Sequence, residues 1–301
     1  MSLRTDLPDF YTLTKQHNEA MSAAELAAVM ESGRKWDLAQ VLKDRGAIIF
    51  PHFNIHQCGS HYAATIHACM NSGAKTVLGI GVLHARFDEL QTARVRVANG
   101  ADITQEPTWG TQGAGLAGLT HWQTEFSMIS FEHLWHFEAA RRREAGLLVP
   151  ELIVRYPYLA GGRPHILPGI AELQQIVADG AVVVGTADPF HHGLAYGDSV
   201  EASKAPNEGG LELCRATVEA GFAMLGAGDY WGFNQHCVSA KSDGRDMGQV
   251  LRYILNTPLK AEIHDILWED MSGPYGKPWP SWVAGCLISL TPRPRLSTDL
   301  H

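Results

Sequence analysis

Three apolar stretches of the sequence end in histidine, a side chain whose neutral imidazole binds transition metals. AIIFPH ends at His52, TVLGIGVLH ends at His84, and VVVGTADPFHH ends at His191 and His192. Two imidazoles and one anionic ligand leave coordination positions of Fe, Cu or Zn open for a substrate. The histidines therefore predict a metal-dependent site if the fold brings the ends of the three stretches together.

One further segment contains the candidates for an anionic ligand. Residues 229–246, DYWGFNQHCVSAKSDGRD, include His236, Cys237 and Asp243 just before a stretch whose periodicity predicts a helix. A thiolate at Cys237 would select a soft or borderline metal and lose its proton on binding. Elsewhere, Glu125 on a predicted helix either reaches the same pocket or faces solvent.

Strands that alternate with helices must position these residues. The alternation predicts an α/β fold, a single domain with a central mixed, mainly parallel sheet flanked by helices. In such sheets ligands bind beyond the carboxyl ends of the strands, so the site is expected there. The predicted strands are 46–51, 76–83, 151–156, 181–187, 261–270 and 281–290. The predicted helices are 22–42, 62–73, 124–146, 169–180, 210–225 and 246–255.

The composition is that of an ordinary globular protein. The 301-residue chain is 45% hydrophobic and 19% charged, with a formal net charge of −8 at pH 7. This acidic balance argues against binding to nucleic acid or to an anionic membrane surface. No apolar stretch is long enough to span a bilayer, and the five cysteines form no C-x-x-C pair. Isolated thiols and an amino terminus without an apolar segment predict a cytoplasmic protein.

The sequence also lacks the motifs of several common enzyme classes. It contains no G-x-S-x-G, no G-x-x-x-x-G-K-[ST] and no H-E-x-x-H. These absences argue against the commonest serine hydrolases, P-loop nucleotidases and zinc proteases. A metal site built from residues far apart in the chain is then the leading prediction.

The order of the motifs resembles the Memo family, which shares its fold with the class III extradiol ring-cleaving dioxygenases. The resemblance divides the chain into an N-terminal helical extension (1–44), a Memo- and dioxygenase-like catalytic domain (45–292) and a C-terminal tail (293–301). The motifs that carry it are, in order, AIIFPH, VLGIGVLHA, SFEHLWHF, VVVGTADPFHHG, FNQHCVSAKSDGRDMGQVLRYI and WVAGCLISL.

This resemblance implies roles for the residues at the strand ends. His52 and His84 match the two metal-binding histidines. His191 matches the histidine that works as acid and base beside the metal in the dioxygenases. Asp188 would be its neighbour, and His192 is a further catalytic candidate.

The third metal ligand differs between the two groups of similar proteins. Memo-type sequences place a cysteine before the last large helix, and Cys237 stands there. The ring-cleaving enzymes have a glutamate instead, and residues 229–246 contain none. Cys237 is thus the implied ligand, with His236 and Asp243 as alternatives.

The implied activity is that of a non-haem oxygenase with Fe(II), or with Cu or Zn as alternative metals. Its partners would be O2 and a small aromatic or phenolic substrate, whose hydroxyl proton His191 would accept and later return. A Memo-like Cu- or Fe-binding protein with a redox or partner-binding role, and a zinc hydrolase, are the alternatives. A homo-oligomer is compatible with all three. The candidates for an aromatic substrate-binding wall are Trp109, Trp122, Tyr230 and Trp231.

Overall fold

The structure, a computed structural model, describes residues 9–84, 88–106 and 125–293. No helix in these ranges is both long and apolar enough to cross a membrane. The strands are β1 Ala47–Phe50, β2 Thr76–Ile80, β3 Glu151–Arg155, β4 Val182–Thr186, β5 Phe190–Gly193, β6 Leu259–Asp270 and β7 Ser281–Pro292. The helices are α1 Phe10–Ala20, α2 Ala23–Ser32, α3 Ala39–Lys43, α4 Ile55–Asn71, α5 Asp88–Ala98, α6 Ile129–Glu144, α7 Ile170–Ala178, α8 Leu211–Ala227, α9 Tyr230–Ala240, α10 Arg245–Leu255 and α11 Ser272–Tyr275.

All the strands belong to one sheet. β3, β2, β4 and β1 lie side by side in that order and run parallel. β7 pairs antiparallel with β5 near its beginning and with β1 near its end, and β6 pairs with β7 along nearly its whole length. The predicted α/β fold, a single domain around a mixed, mainly parallel sheet, is confirmed.

Helices cover both faces of this sheet. Phe50 of β1 stacks on Phe131 of α6, with ring centroids 4.6 Å apart. The preceding residue, Ile49, pairs with Gly185 of β4, where a Cβ would meet Met247 of α10. Because successive residues of a strand point to opposite faces, α6 and α10 lie on opposite sides of the sheet. α4 packs beside α6, and α7 and α9 pack beside α10.

The first helices pack into the same core as the sheet. Leu26, Met30 and Leu42 of α2 and α3 are buried in one apolar cluster with the strands. The helix predicted over 22–42 is interrupted at Gly33, where a Cβ would lie 2.4 Å from the backbone nitrogen of Ala64 in α4. Such an approach excludes any side chain at this position; residues 33–35 form a short 3-10 turn, and α3 begins at Ala39.

Two regions near the carboxyl edge of the sheet differ from the prediction. β4 ends at Thr186, and His191 and His192 lie on the separate strand β5, antiparallel to β7. Pro189 separates β4 from β5, because proline has no N–H with which to continue a strand ladder. Residues 230–240, which lie outside the predicted helices, form α9 and return the chain to this edge.

Candidate metal centre

Four side chains with metal-binding atoms meet at the carboxyl edge of the sheet. His52, His84 and Asp188 follow β1, β2 and β4, which are neighbours in the parallel part of the sheet. Asp243 lies in the turn between α9 and α10, after α9 has ended at Lys241 in the left-handed conformation. The parallel strands and this turn thus deliver two imidazoles and two carboxylates to one place.

The nitrogen and oxygen atoms of these side chains face one another. His52 Nε2 lies 3.2 Å from Asp188 Oδ2 and 3.1 Å from Asp243 Oδ2. His84 Nε2 lies 3.8 Å from the same oxygen of Asp243. Ligand atoms of His52, His84 and Asp243 lie within 4.8 Å of one another, and so do those of Asp188, His191 and Asp243. Atoms at this spacing can share one ion, since metal–ligand bonds to nitrogen and oxygen are about 2.0–2.2 Å long.

Both imidazoles are oriented by a hydrogen bond at Nδ1. The Thr186 hydroxyl donates to the Phe50 carbonyl at 2.9 Å, so its oxygen accepts from His52 Nδ1 at 3.2 Å. His84 Nδ1 lies 2.8 Å from Glu125 Oε1, and a carboxylate oxygen can only accept. In each ring Nε2 is therefore the atom left for a metal, an arrangement that is typical of metal-binding histidines.

Glu125→Gln is expected to weaken metal binding about 10- to 100-fold, the usual effect of losing the partner that orients a ligand. Both oxygens of Glu125 accept backbone N–H groups, Oε2 from His84 at 2.6 Å and Oε1 from Ser127 at 2.9 Å, so the NH2 group of glutamine would oppose a donor in either orientation. Chelator competition measures the affinity. Glu138→Gln is the matched control, because Glu138 is a buried carboxylate of α6 that pairs with Arg141 away from the cavity. An equal loss in both variants would contradict the role of Glu125.

Asp188 and Asp243 each use one carboxylate oxygen in a backbone hydrogen bond, which leaves the other oxygen for the centre. Asp188 Oδ1 accepts the backbone N–H of His52 at 3.3 Å, and Asp243 Oδ1 accepts the backbone N–H of Asp188 at 2.8 Å. Oδ2 of both carboxylates remains directed at the imidazoles. The backbone of the strand ends therefore fixes the carboxylates in a position that suits coordination.

The electrostatics of the group also suit a cation. Burial raises the pKa of Asp188 to about 7, and the negative charge of Asp243 adds to this effect. Burial lowers the pKa of His52 and His84, but the adjacent carboxylates more than offset it, so both values are raised, that of His84 to about 10. Without a metal, the protons bound by these imidazoles and carboxylates offset the negative charge of the group. A divalent cation can replace those protons, which is how metal binding generally releases protons from its ligands.

His191 lies beside the centre on β5 and differs from the other two histidines. Burial and the positive charges of His52 and His84 lower its pKa to about 4, against the opposing effect of Asp243. Its ring contacts Tyr196 edge-on, with centroids 4.9 Å apart, and its buried Nδ1 has no hydrogen-bond partner within the described ranges. At neutral pH this imidazole is uncharged and able to accept a proton.

The centre opens into a cavity of about 780 Å³. This volume lies within the range of small-molecule sites. Phe126 stacks on His84 with ring centroids 4.3 Å apart and, together with Phe10, Tyr196 and Tyr275, gives the cavity an aromatic wall. A planar apolar molecule of modest size suits such a wall.

This wall differs from the one that the sequence predicts. Trp109 and Trp122 lie outside the described residues. Tyr230 and Trp231 do not line the cavity, and the Trp231 side chain is 47% exposed on α9. Phe10 comes instead from α1, within the segment assigned to an N-terminal extension, so that segment contributes directly to the cavity.

The structure does not bring Cys237 or His236 into either group of converging ligand atoms. Cys237 is buried on α9 and lines the cavity, and burial raises the pKa of its thiol to about 12. His236 packs against Gly221 of α8, and its Nε2 donates to the Thr217 carbonyl at 2.8 Å. The Asp243 carboxylate, an alternative in the sequence, stands where the thiolate was expected.

Cys237→Ser is expected to retain stoichiometric metal, because the sulfur is not among the converging atoms. Wild-type protein loaded with Co²⁺, which keeps the Cys237 thiol, is expected to show no thiolate-to-metal charge-transfer absorption. Elemental analysis and the absorption spectrum test both statements. Loss of metal from this variant, with the fold intact by circular dichroism, would restore the thiolate as a ligand.

The imidazole of His192, the third catalytic candidate, is bonded through both nitrogens to neighbouring residues of the fold. The backbone N–H of Lys204 donates to its Nε2 at 2.9 Å, so Nδ1 carries the proton and donates to Asp198 Oδ2 at 3.0 Å. Asp198 also pairs with Lys241. Both ring nitrogens are therefore occupied in holding the chain after β5, and adjacent residues of one strand point to opposite faces. Only His191 of the pair faces the cavity.

The sequence predicts the strand ends that carry the candidate ligands but not most of their supporting contacts. Thr186 is the last residue of an otherwise apolar strand, and that position was its only signal. The sequence leaves open whether Glu125 reaches the pocket or faces solvent, and the structure places it in a buried contact with His84. Asp243 lacked a signal that distinguished it from Cys237. Comparison of the chain with models of protein families gives no match, and a search among curated proteins gives none either.

Proposed function

We propose that the protein is a non-haem metal-dependent oxygenase that acts on a small aromatic or phenolic compound, similar to the class III extradiol dioxygenases. The observation that carries the proposal is the convergence of His52, His84 and Asp243. Two imidazoles and one carboxylate with open positions are typical of non-haem Fe(II) oxygenases. Fe(II) bound there would supply adjacent positions for an aromatic hydroxyl group and for O2.

The protein's own residues would orient the substrate and move its proton. The rings of Phe126, Tyr196 and Tyr275 would hold an aromatic ring in the cavity and exclude water from it. His191 is uncharged at neutral pH and faces this space, so it would accept the hydroxyl proton of the substrate. The same imidazole, once protonated, would return that proton.

Oxygen uptake by the Fe(II)-loaded protein tests the proposal. The protein is freed of metal with a chelator, loaded with Fe(II) under anaerobic conditions, and mixed with catechols, aminophenols and related phenols. We expect O2 consumption in proportion to the substrate converted, with at least one member of the panel. If no compound supports O2 uptake although the iron is bound, the oxygenase proposal is wrong.

The alternative activities differ in the metal that they require. A zinc hydrolase would use the same two histidines and carboxylate, since two imidazoles and one carboxylate also hold catalytic zinc. It would show activity with Zn²⁺ and none that depends on O2. A Memo-like role through a cysteine ligand has less support, because Asp243 rather than Cys237 belongs to the converging group. Elemental analysis of freshly purified protein separates these alternatives.

A further inference from the structure

Positively charged side chains form part of the wall of the cavity that holds the candidate metal centre. Arg94 of α5 and Arg245 at the start of α10 both line the cavity. Lys241 lines it too, but its ammonium group is paired with Asp198. Among the described residues, the two arginines are therefore the cations of this wall that the protein leaves available.

Arg94 differs in its pairing from the next arginine of α5. Within residues 9–84, 88–106 and 125–293 the guanidinium group of Arg94 forms no hydrogen bond and no ion pair. Arg96, on the same helix, is by contrast bonded to Glu106 through two nitrogens at 2.8 and 2.6 Å. A guanidinium group inside a cavity without a counter-ion is a binding element for an anion.

Arg245 is buried and incompletely paired. The residue is 5% exposed, and its Nε has no hydrogen-bond partner within the described ranges. Its one ion pair there is a 3.4 Å contact with Asp246 Oδ2, longer than a normal charged hydrogen bond. The other oxygen of Asp246 accepts the Ala160 backbone N–H at 2.8 Å, so that carboxylate is shared with the backbone. Leaving a buried charged donor unsatisfied costs stability, and a ligand that pairs with it recovers that cost.

The charges of the two arginines act on one common group, the hydroxyl of Tyr158. Burial has the largest effect on the Tyr158 hydroxyl and raises its pKa. The positive charges of Arg94 and Arg245 each lower that pKa. α5 and α9 are also tied together, because Gln235 donates from its side chain to the Ala98 carbonyl at 2.7 Å. One wall of the cavity is thus built from α5, the end of α9 and the start of α10.

We propose that this wall binds a carboxylate group of the substrate, with Arg94 as the main contact and Arg245 as a second cation of the same cavity, so that the substrate is an aromatic acid. The planar guanidinium group suits a carboxylate, which it can bind through two parallel hydrogen bonds. The aromatic ring would lie against the apolar wall, with its hydroxyl group directed toward His52, His84 and Asp243. The proposal rests on the proposed function for the reacting end of the substrate, but the binding of the carboxylate does not require turnover.

Calorimetric binding of benzoate and of its uncharged analogue benzamide tests the carboxylate site. The full-length protein is used with saturating Zn²⁺, which matches the charge of Fe(II) and has no redox chemistry. We expect the wild-type protein to bind benzoate about tenfold or more tightly than benzamide. Arg94→Gln is expected to weaken benzoate binding about 10- to 100-fold, as for loss of a charged hydrogen bond, and to leave benzamide binding nearly unchanged.

Two further variants complete the design. Arg94→Lys keeps the charge but loses the paired donors, so its affinity for benzoate is expected to lie between those of the wild type and Arg94→Gln. Arg215→Gln removes the same charge from α8, where Arg215 is half-exposed and outside the cavity, and it should bind benzoate like the wild type. Benzoate binding no tighter than benzamide binding, or equal losses in Arg94→Gln and Arg215→Gln, would overturn the proposal.

The outcome is independent of the oxygenase assay. Selective loss of benzoate binding in Arg94→Gln supports the carboxylate site even if the Fe(II)-loaded protein consumes no O2. Conversely, O2 uptake with catechol, together with benzoate binding no tighter than benzamide binding, would support the oxygenase proposal and reject the proposal that the substrate is an aromatic acid. If the oxygenase and the carboxylate site are both correct, Arg94→Gln should lower kcat/KM for 3,4-dihydroxybenzoate by about the same factor as the loss in benzoate affinity. The kcat/KM for catechol, which has no carboxylate, should stay nearly unchanged.

Discussion

Asp243→Asn is expected to abolish stoichiometric metal binding and is the substitution with the largest expected effect on the centre. Asp243 Oδ2 faces the Nε2 atoms of both His52 and His84, at 3.1 and 3.8 Å. In the variant the amide oxygen can keep the hydrogen bond from the Asp188 backbone, which places the NH2 group among the imidazoles. A charged ligand is then replaced by a neutral donor.

The loss of metal affinity should exceed the 10- to 100-fold that is typical of residues that only orient a ligand. Elemental analysis and chelator competition measure it, and thermal melting of the metal-free protein shows whether the variant folds. Asp265→Asn is the matched control, because Asp265 pairs with the buried His61 at 3.1 Å outside the cavity. Asp243→Asn protein that retains one metal with wild-type affinity would remove Asp243 from the centre.

His191→Gln is expected to lower kcat about 10²- to 10⁴-fold, the usual contribution of a general acid–base residue, while metal content stays unchanged. The neutral imidazole of His191 faces the cavity, and glutamine has no atom that accepts a proton near neutral pH. The measurement is the initial rate of O2 uptake at saturating substrate, with the iron content determined on the same sample.

The adjacent histidine provides the control for this substitution. In His192→Gln the side-chain amide can still accept from Lys204 and donate to Asp198, so kcat is expected to stay within about tenfold of the wild type. The pH profile separates chemistry from structure, because loss of the base should remove an ionisation from the kcat profile that a purely structural change would leave. Equal losses in the two variants would argue against His191 as the acid–base residue.

The strand ends illustrate what local sequence determines. The apolar runs before His52 and His84 form strands that are buried on both faces, and burial of this kind requires a continuous apolar run. β1 and β2 run parallel in one sheet with β4 between them, so their carboxyl ends lie at the same edge and the two histidines meet there. The closing strands β6 and β7 are likewise predicted from local sequence.

The end of the third stretch shows a feature that local sequence patterns do not determine. His191 and His192 are adjacent in sequence and of the same residue type, yet one faces the cavity and the other is bonded to Lys204 and Asp198. Which of two successive strand residues points inward depends on the register of β5 against β7. That register is set by long-range pairing, which the residue types do not encode.

By itself, the sequence predicted the α/β class, which the structure confirms, and the edge of the sheet at which His52 and His84 lie. The tertiary structure alone brings Asp243 rather than Cys237 into the converging group, and it alone places Glu125 behind His84. The physical reason is that apolar periodicity is a local property, whereas the direction of a polar side chain depends on how its helix or turn packs. α9 places Cys237 in the wall of the cavity, and the turn after it brings Asp243 to the imidazoles.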